Sequence, residues 1–337
     1  MYLPPIAYLL LSPIIFIISG APISTYNSLS PAVSTATASA SSTSTSTSSS
    51  TVIKITKLTP FYWVATFSSE GFLSSNSSST QSLPINLQNN AFFTSFYALC
   101  DEILSSSSLK VVVFTSSSEY FFSTHVDLVN PLSGHLWPGS PKYWDCISRL
   151  ANSNVLTVAA IRGIAYNAGA EIAAVMDVRF ASKEKGVLAQ LEVGFGGNPG
   201  GGGIEMLSRL AGRSRTLEVV LGSDRIDADT AALYGWINRA IPDSEFDFFV
   251  DNFARRVAGW DHFAIAASKK LINERSGFPT AVQQQGSFNS FLADVAQGAV
   301  PARLKAMSDA GLQRDLDFEI NLHEEELRFV GDGPWNV

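Results

Sequence analysis

The length, composition and charge of the chain limit the classes of protein to which it can belong. Its 337 residues are 46% hydrophobic, which is enough to bury a core in one main domain of roughly 200 to 250 residues. The net charge of −7 argues against nucleic acid or an anionic membrane surface as a partner. Because no Cys/His/Asp spacing in the sequence is typical of a metal site, no metal is expected.

The first 51 residues are not expected to join the core. Residues 6–20 form an apolar run that Pro13 interrupts, and its length suits a signal-peptide core better than a membrane span. The usual positive n-region is missing, because the first basic residue is Lys54. Residues 24–51 are mostly Ser, Thr and Ala and predict a disordered linker. We therefore expect a signal-like leader over 1–23 and a linker over 24–51, with membrane contact only if the leader is an uncleaved anchor.

The folded part begins with strands and a helix. Residues 52–58 predict an edge strand and residues 61–67 its hairpin partner. Apolar residues at helical spacing predict a helix over 90–104, and residues 111–115 predict a buried strand. Of the two cysteines, Cys100 lies in this helix and the other is Cys146. A disulfide between them is possible in principle, but we expect two buried free thiols.

The alternation of strands and helices continues along the chain. A strand is predicted over 155–161, a helix over 168–177 and a strand over 178–181, and further helices are predicted near 202–211, 214–221, 227–234 and 244–258. Repeated units of this kind imply an α/β core with helices over the sheet faces, and we place it at 52–258. Residues 259–337 form the predicted helical C-terminal region, in which 315–328 suits a surface or oligomer helix.

Two glutamates stand out beside backbone groups suited to chemistry on a carbonyl. Glu171 lies in the first turn of the helix predicted after the strand over 155–161, where backbone N–H groups have no partner within the helix. Glu192 follows a short apolar segment and precedes a glycine-rich turn at 194–203. Two acids flanking unpaired N–H donors predict a site for acid–base chemistry on a carbonyl.

Four motifs in order resemble those of the enoyl-CoA hydratase/isomerase (crotonase) superfamily. Residues 167–173 (NAGAEIA) match the family pattern GGGxELA, and residues 191–203 (LEVGFGGNPGGGG) match PExxxGxxPGxGG. Upstream, 111–115 with 122–128 resembles VVLTG and FSAGADL, and downstream, 221–237 resembles the pattern LTGxxIxAxEAxxxGLV. The resemblance covers roughly residues 52–273. It implies a spiral of ββα repeats with a helical C-terminal part used in trimer assembly.

The resemblance also implies roles for particular residues. Glu171 is expected to activate the water that adds to Cβ of a 2-enoyl-CoA thioester, and Glu192 to deliver a proton to Cα. The backbone amides of Val126 and Ala168 are expected to form an oxyanion hole. No cofactor is expected besides the coenzyme A of the substrate. Further positions are expected to contact the substrate: Phe122, Thr124, His125, Asp127, Gly169, Leu191 and Gly200.

Each of these features also has a structural interpretation. Glu171 alone would suit a helix N-terminal acid, and Glu192 alone would suit a solvated loop acid. Residues 122–128 would suit an ordinary strand-to-helix turn with Asp127 as its cap. The occurrence of both glutamates at the family's two acidic positions favours catalysis.

Several residues depart from the family pattern. His125 replaces a glycine in the loop of the oxyanion hole, where it either is a structural replacement or supplies a hydrogen bond or a third acid–base group. Asn167 replaces the first glycine of its motif, and asparagine tolerates unusual backbone angles. Leu191 replaces the proline before the second glutamate.

Two other sequence features have more than one interpretation. Lys269 and Lys270 either reach a phosphate of coenzyme A or lie on a solvated helix face, and we prefer the second. The turn 196–203 resembles a phosphate cradle, but it lacks a following Lys-Ser/Thr. We expect it to set the next helix against the sheet.

The sequence predicts an enoyl-CoA hydratase-like enzyme that assembles as a homotrimer or a dimer of trimers. One alternative is a Δ3,Δ2-enoyl-CoA isomerase that uses Glu192 alone. The other is a non-catalytic relative with this fold, secreted or tethered to a membrane, that serves in binding. The leader indicates secretion or anchoring, whereas the family resemblance indicates a peroxisomal, mitochondrial or cytoplasmic protein, so the location stays open.

Overall fold

The computed structural model describes residues 52–69, 83–130, 132 and 137–330. The predicted leader over 1–23 and linker over 24–51 lie outside these residues, as does the end of the chain from 331. Within the described ranges, no helix has the length and apolar character needed to cross a membrane.

In the described part of the chain, ten strands form two sheets, and the chain winds between them. The strands are β1 Ile53–Thr59, β2 Tyr62–Phe67, β3 Val111–Ser116, β4 Phe121–Ser123, β5 Leu156–Ile161, β6 Ile164–Tyr166, β7 Val178–Ser182, β8 Val187–Ala189, β9 Ile226–Asp227 and β10 Arg239–Ile241. The larger sheet has the order β1-β2-β3-β5-β7-β10, and the smaller has the order β4-β6-β8-β9. The consecutive pairs β3–β4, β5–β6 and β7–β8 each supply one strand to each sheet. This is the expected α/β spiral of ββα repeats.

Helices follow the strand pairs and then continue to the end of the described chain. They are α1 Asn90–Ser105, α2 Pro141–Ala151, α3 Ala168–Ala174, α4 Glu192–Phe195, α5 Gly203–Leu210, α6 Arg213–Gly222, α7 Ala228–Tyr234, α8 Asp243–Ala258, α9 His262–Ser276, α10 Ala281–Val295, α11 Val300–Ala310, α12 Leu316–Ile320, α13 Leu322–Glu325 and a 3-10 helix at Glu326–Phe329. The sequence prediction missed α2 and the short strands β4, β6, β8, β9 and β10.

Strand β3, inside the larger sheet, is buried on both faces. Val112 and Phe114 of β3 pack in the cluster that contains the apolar face of α1, whereas Val111 and Val113 pack with residues of α8. A strand covered on both sides has no solvent face, which explains why β3 is a continuous apolar run rather than an alternating one. The hairpin β1–β2 is antiparallel and places β1 at the edge of the sheet, as predicted.

The prediction of two free thiols is wrong. Cys100 on α1 and Cys146 on α2 form a disulfide, with Cα atoms 6.3 Å apart. The two helices pack against each other over the same face of the larger sheet. Helix α2 was missing from the sequence prediction, so nothing indicated that it would bring Cys146 to α1.

Removal of the disulfide is expected to destabilise the fold without changing the cavity described below. The bridge joins residues 46 positions apart, and closing a loop of that length typically contributes about 2–4 kcal/mol to the free energy of unfolding. The double variant Cys100→Ala, Cys146→Ala should therefore unfold at a lower urea concentration than the wild type. Equal urea midpoints for the oxidised wild type and the double variant would contradict this expectation.

The C-terminal segment is helical, but its last part differs from the prediction. Residues 315–328 do not form one surface helix, because they divide into α12, α13 and the 3-10 helix. Phe318 and Leu322 are buried against the strands β4 and β6 and the end of α4 in one apolar cluster. The inner face of this segment therefore completes the core of its own chain. Its use in oligomer assembly stays a prediction.

Candidate active site

The predicted catalytic residues meet at the ends of three neighbouring strands. β4, β6 and β8 are parallel and lie side by side, so their carboxyl ends share one edge. The segments that follow them carry His125 and Val126, Ala168 and Glu171, and Glu192. These segments surround one cavity, lined by His125, Val126, Leu128, Pro138, Asn167, Ala168, Glu171, Glu192, Phe195, Gly200, Gly201 and Phe291. The cavity is narrow, with about 20 Å³ open to the centres of water molecules, which is room for about one water.

Five residues expected to contact the substrate lie outside this lining. Phe122, Thr124 and Leu191 are completely buried in the protein, and Asp127 lines an adjacent groove. Gly169 lies directly against the backbone of β4. An added Cβ at Gly169 would be 1.9 Å from the carbonyl oxygen of Ser123. These five residues therefore lie behind or beside the lining of the cavity and do not form the lining itself.

Helix α3 starts in a way that leaves a backbone donor at the cavity. Asn167 precedes it with φ +50°, a conformation that asparagine adopts more readily than most residues. The Asn167 side chain accepts a hydrogen bond of 2.9 Å from the Leu191 amide. Ala168 is the first helical residue, so its N–H has no partner within the helix. The N–H of Ala168 is thus available at the cavity.

The second predicted donor, Val126, is oriented by a short pairing with Gln88. The Gln88 N–H donates to the His125 carbonyl oxygen and the Asp127 N–H donates to the Gln88 carbonyl oxygen, both at 3.1 Å. This parallel bridge uses the groups on either side of Val126, and the Val126 N–H therefore points away from Gln88. Val126 and Ala168 both line the cavity, so the two residues expected to supply backbone donors lie at one site.

Glu171 is held by the glycine-rich turn. Its Oε1 accepts hydrogen bonds from the amides of Gly201 at 2.7 Å and Gly203 at 3.0 Å. Burial raises the pKa of Glu171 to about 7, although these two hydrogen bonds act in the opposite direction. A Cβ at Gly201 would be 2.5 Å from Glu171 Oε2. The turn therefore binds a carboxylate of the protein itself, and it also leads directly into α5.

Glu192 has a different environment. It is the first residue of α4 and is 4% exposed, and its Oε2 is buried with no hydrogen-bond partner among the described residues. Burial, followed by the nearby charge of Glu171, raises the pKa of Glu192 well above its usual range. Two neighbouring acids whose pKa values are both raised can supply and accept protons at one site.

Sequence reasoning missed a third carboxyl group, Glu326, which lies behind α4. A Cβ at Gly194 would be 2.1 Å from Glu326 Oε1, and that oxygen accepts a hydrogen bond of 2.8 Å from Ser223 Oγ. Glu326 is 1% exposed, and burial raises its pKa to about 8. The available signal was its spacing from Phe318 and Leu322, which places it on the same helical face as those buried residues.

The raised pKa of Glu326 predicts a pH-dependent stability. Between pH 4.5 and about 8 the folded protein keeps this proton and the unfolded chain releases it, so the free energy of unfolding falls as pH rises. By pH 7 this effect lowers the free energy of unfolding by roughly 3 kcal/mol relative to its value at pH 4.5. Glu326→Gln should make the urea midpoint fall less steeply between pH 5 and 8. An identical pH slope in both proteins would contradict this assignment.

The structure corrects the prediction for Lys269. Its side chain is 8% exposed, and Nζ lies 2.8 Å from Asp177 Oδ2. Nζ also donates to the carbonyl oxygens of Leu150 and Val155. Lys269 therefore fixes α9 to the core and is not on a solvated face, because α9 lies over the loop that joins α2 to β5. Lys270 is exposed, as predicted.

Comparison with known proteins gives the chain its family. The family described as "Enoyl-CoA hydratase/isomerase" matches residues 84–293. Mitochondrial enoyl-CoA hydratase of Pongo abelii is 31% identical over 132 residues, which are 39% of this chain and 44% of that protein. Short-chain-enoyl-CoA hydratase of Clostridium acetobutylicum is 30% identical over 51% of this chain and 67% of that protein. The chain thus spans less than half of the first relative and about two thirds of the second.

Solved structures agree in fold over a longer stretch. A Streptomyces avermitilis protein assigned as an enoyl-CoA hydratase is 33% identical, with a TM-score of 0.71 over 82% of this chain and 96% of that one. Pseudomonas aeruginosa DspI is 21% identical, with a TM-score of 0.57 over 79% of this chain and 99% of that one, which shows a shared fold. Since the family match covers more than half of its residues, the chain belongs to the enoyl-CoA hydratase/isomerase family.

Proposed function

We propose that the protein is a hydratase that adds water across the double bond of a 2-enoyl-CoA thioester. The observation that carries this proposal is the placement of Glu171 and Glu192 in the lining of one narrow cavity, together with the amides of Val126 and Ala168. Two buried carboxyl groups with raised pKa values suit proton transfer near neutral pH. Two fixed N–H donors suit the negative charge of a thioester enolate.

The reaction divides between the two glutamates. Glu171, fixed by the amides of Gly201 and Gly203, holds a water and takes one of its protons as the oxygen bonds to Cβ of the substrate. The electrons of the double bond move onto the thioester oxygen, which receives hydrogen bonds from Val126 and Ala168. Glu192 gives its proton to Cα, and the carbonyl re-forms. One water is consumed, and its second proton stays on the new hydroxyl group. The proton gained by Glu171 must then pass back to Glu192, directly or through solvent, before the next turnover.

The protonation states required by this scheme follow from the environments of the acids. Burial and the nearby charge of Glu171 raise the pKa of Glu192 well above its usual range, which favours the protonated form that a proton donor needs. Glu171 has a pKa of about 7, so a substantial fraction is ionised and able to accept one. The two groups interact, and the pH dependence of kcat therefore belongs to the pair. We expect a bell-shaped profile for kcat against pH.

Turnover of two substrates tests the proposal. The purified protein should convert a short 2-enoyl-CoA to the 3-hydroxyacyl-CoA. Chromatography of the products measures this conversion. It should act much more slowly on the corresponding 3-enoyl-CoA. Conversion of 3-enoyl-CoA to 2-enoyl-CoA without any 3-hydroxy product would make the protein an isomerase. Inactivity on both thioesters would leave a binding function as the better account.

A further inference from the structure

Beside the cavity, the loop that carries Val126 is tied to the C-terminal segment by a buried ion pair. His125 Nε2 lies 3.1 Å from Glu319 Oε2, and the two residues are 194 positions apart in the chain. The side chains are 1% and 0% exposed, respectively. Such a pair is costly to bury, and breaking it by removing one partner is strongly destabilising. Its position next to an oxyanion-hole donor therefore needs an explanation.

Both ring nitrogens of His125 are engaged within the protein. Nδ1 lies 2.7 Å from the Val126 carbonyl oxygen, which can only accept, so Nδ1 carries a hydrogen. Nε2 faces the carboxylate of Glu319. His125 therefore has no free nitrogen with which to act as a third acid–base group. Instead, Nδ1 holds the backbone of Val126, and Nε2 holds the ring against Glu319 of α12.

A second residue of the C-terminal segment, Gln313, forms hydrogen bonds with the same loop. The Gln313 side chain accepts hydrogen bonds from the Leu128 and Val129 amides at 2.8 and 3.2 Å, and it donates to Asp127 Oδ1 at 2.9 Å. Gln313 takes φ +64°, an uncommon conformation for a residue other than glycine. Its own N–H donates to Glu319 Oε1 at 2.6 Å.

These contacts make one connected unit. Glu319 binds both His125 and the backbone of Gln313, and Gln313 binds the loop on the far side of Val126. Val126 is thus held from residue 125 and from residues 127–129 by the same segment, 313–319. We call these contacts the C-terminal clamp.

We propose that Glu319, His125 and Gln313 are positioning residues, and that the C-terminal clamp fixes the Val126 N–H in the oxyanion hole. This inference rests on the proposed function and adds a structural requirement to it: the tail must be docked for the enolate to be stabilised. Glu319 and Gln313 lie outside the cavity lining, and His125, which lines the cavity, has both ring nitrogens engaged within the protein. Loss of the clamp should therefore affect the rate of the bound complex rather than its affinity.

Two measurements on the full chain test the clamp, one of which needs no substrate. Glu319→Ala and Gln313→Ala should each increase amide hydrogen exchange of the peptide that covers residues 124–130. Glu319→Ala should lower kcat for the 2-enoyl-CoA by about 100-fold, as expected when one oxyanion donor is lost, with KM changed less than threefold. Glu319→Gln keeps an acceptor for Gln313 and should recover part of both effects.

Lys269→Met is the matched control, because it breaks the buried pair with Asp177 (Nζ to Oδ2, 2.8 Å) away from the cavity. It should lower stability, but neither kcat nor exchange over 124–130 should change. Unchanged exchange in Glu319→Ala, or equal losses of kcat in Glu319→Ala and Lys269→Met, would overturn the proposal. If the wild type fails to hydrate the thioester, the proposed function fails, and the exchange experiment still decides whether the clamp exists.

Discussion

Replacement of Glu192 by glutamine should lower kcat for hydration of a 2-enoyl-CoA by about 10³-fold, within the range for loss of a general acid. Glutamine keeps the size of the side chain but has no proton of suitable acidity for Cα. KM should change little, because the substrate binds through its thioester and coenzyme A portions as before. Loss of the absorbance of the conjugated thioester measures the rate. Glu171→Gln should have a loss of similar size, since no group remains to take the proton of the water.

The double variant tests whether the two acids act together. If they serve one reaction, Glu171→Gln with Glu192→Gln should be only slightly slower than either single variant. Glu205→Gln is the control, because Glu205 is a buried glutamate that does not line the cavity and affects Glu171 only as a nearby charge, the last of the causes that shift its pKa. Its kcat should remain within about threefold of the wild type. Full hydratase activity in either single variant would contradict the assigned roles.

Gly169→Ala should disrupt both the proposed oxyanion hole and the fold around it. The new methyl group would lie 1.9 Å from the Ser123 carbonyl oxygen and 2.9 Å from that of Thr124. Both are backbone atoms, so α3 and the loop after β4 must separate, and these are the segments that carry Ala168 and Val126. We expect a loss of about 3 kcal/mol in the free energy of unfolding, at the upper end for overpacking, and a fall in kcat of at least about 100-fold.

Gly286→Ala provides the comparison for this effect. Gly286 is inside α10, and no atom lies within 4 Å of an added Cβ. This variant should gain about 0.5–1 kcal/mol in stability, because alanine favours a helix more than glycine does. Urea unfolding and kcat are measured on both variants. The comparison separates the general effect of replacing glycine by alanine from the effect of the steric clash at position 169. Wild-type stability and activity in Gly169→Ala would show that the two segments do not need to be this close.

The local parts of the fold could be predicted because local patterns carry them. The helix at 90–104 and the strand at 111–115 have apolar residues that repeat with the right spacing, and the structure places α1 and β3 within one residue of those bounds. The short strands β4, β6 and β8 have only three residues each, too few for any period to appear. They owe their conformation to neighbours in the smaller sheet.

The site itself was predicted in part. Glu171 and Glu192 are 21 positions apart and were brought together by motif resemblance, and the structure places both at the cavity. The partners of His125 were not predictable in the same way. Glu319 lies 194 positions away, in a segment whose acids suggested a solvated surface. Pairing of residues so far apart depends on the tertiary fold, and a single sequence contains no local signal of it.

The most direct test of the central claim is the fate of water oxygen. A 2-enoyl-CoA is incubated with the protein in water enriched in oxygen-18, and the product is analysed by mass spectrometry. If Glu171 adds water to Cβ, the 3-hydroxyacyl-CoA carries one oxygen-18 at C3, and Glu171→Gln forms almost none in the same time. Two results would contradict the two-glutamate hydratase: the wild type forms no product that contains oxygen-18, or Glu171→Gln forms the labelled product as fast as the wild type does.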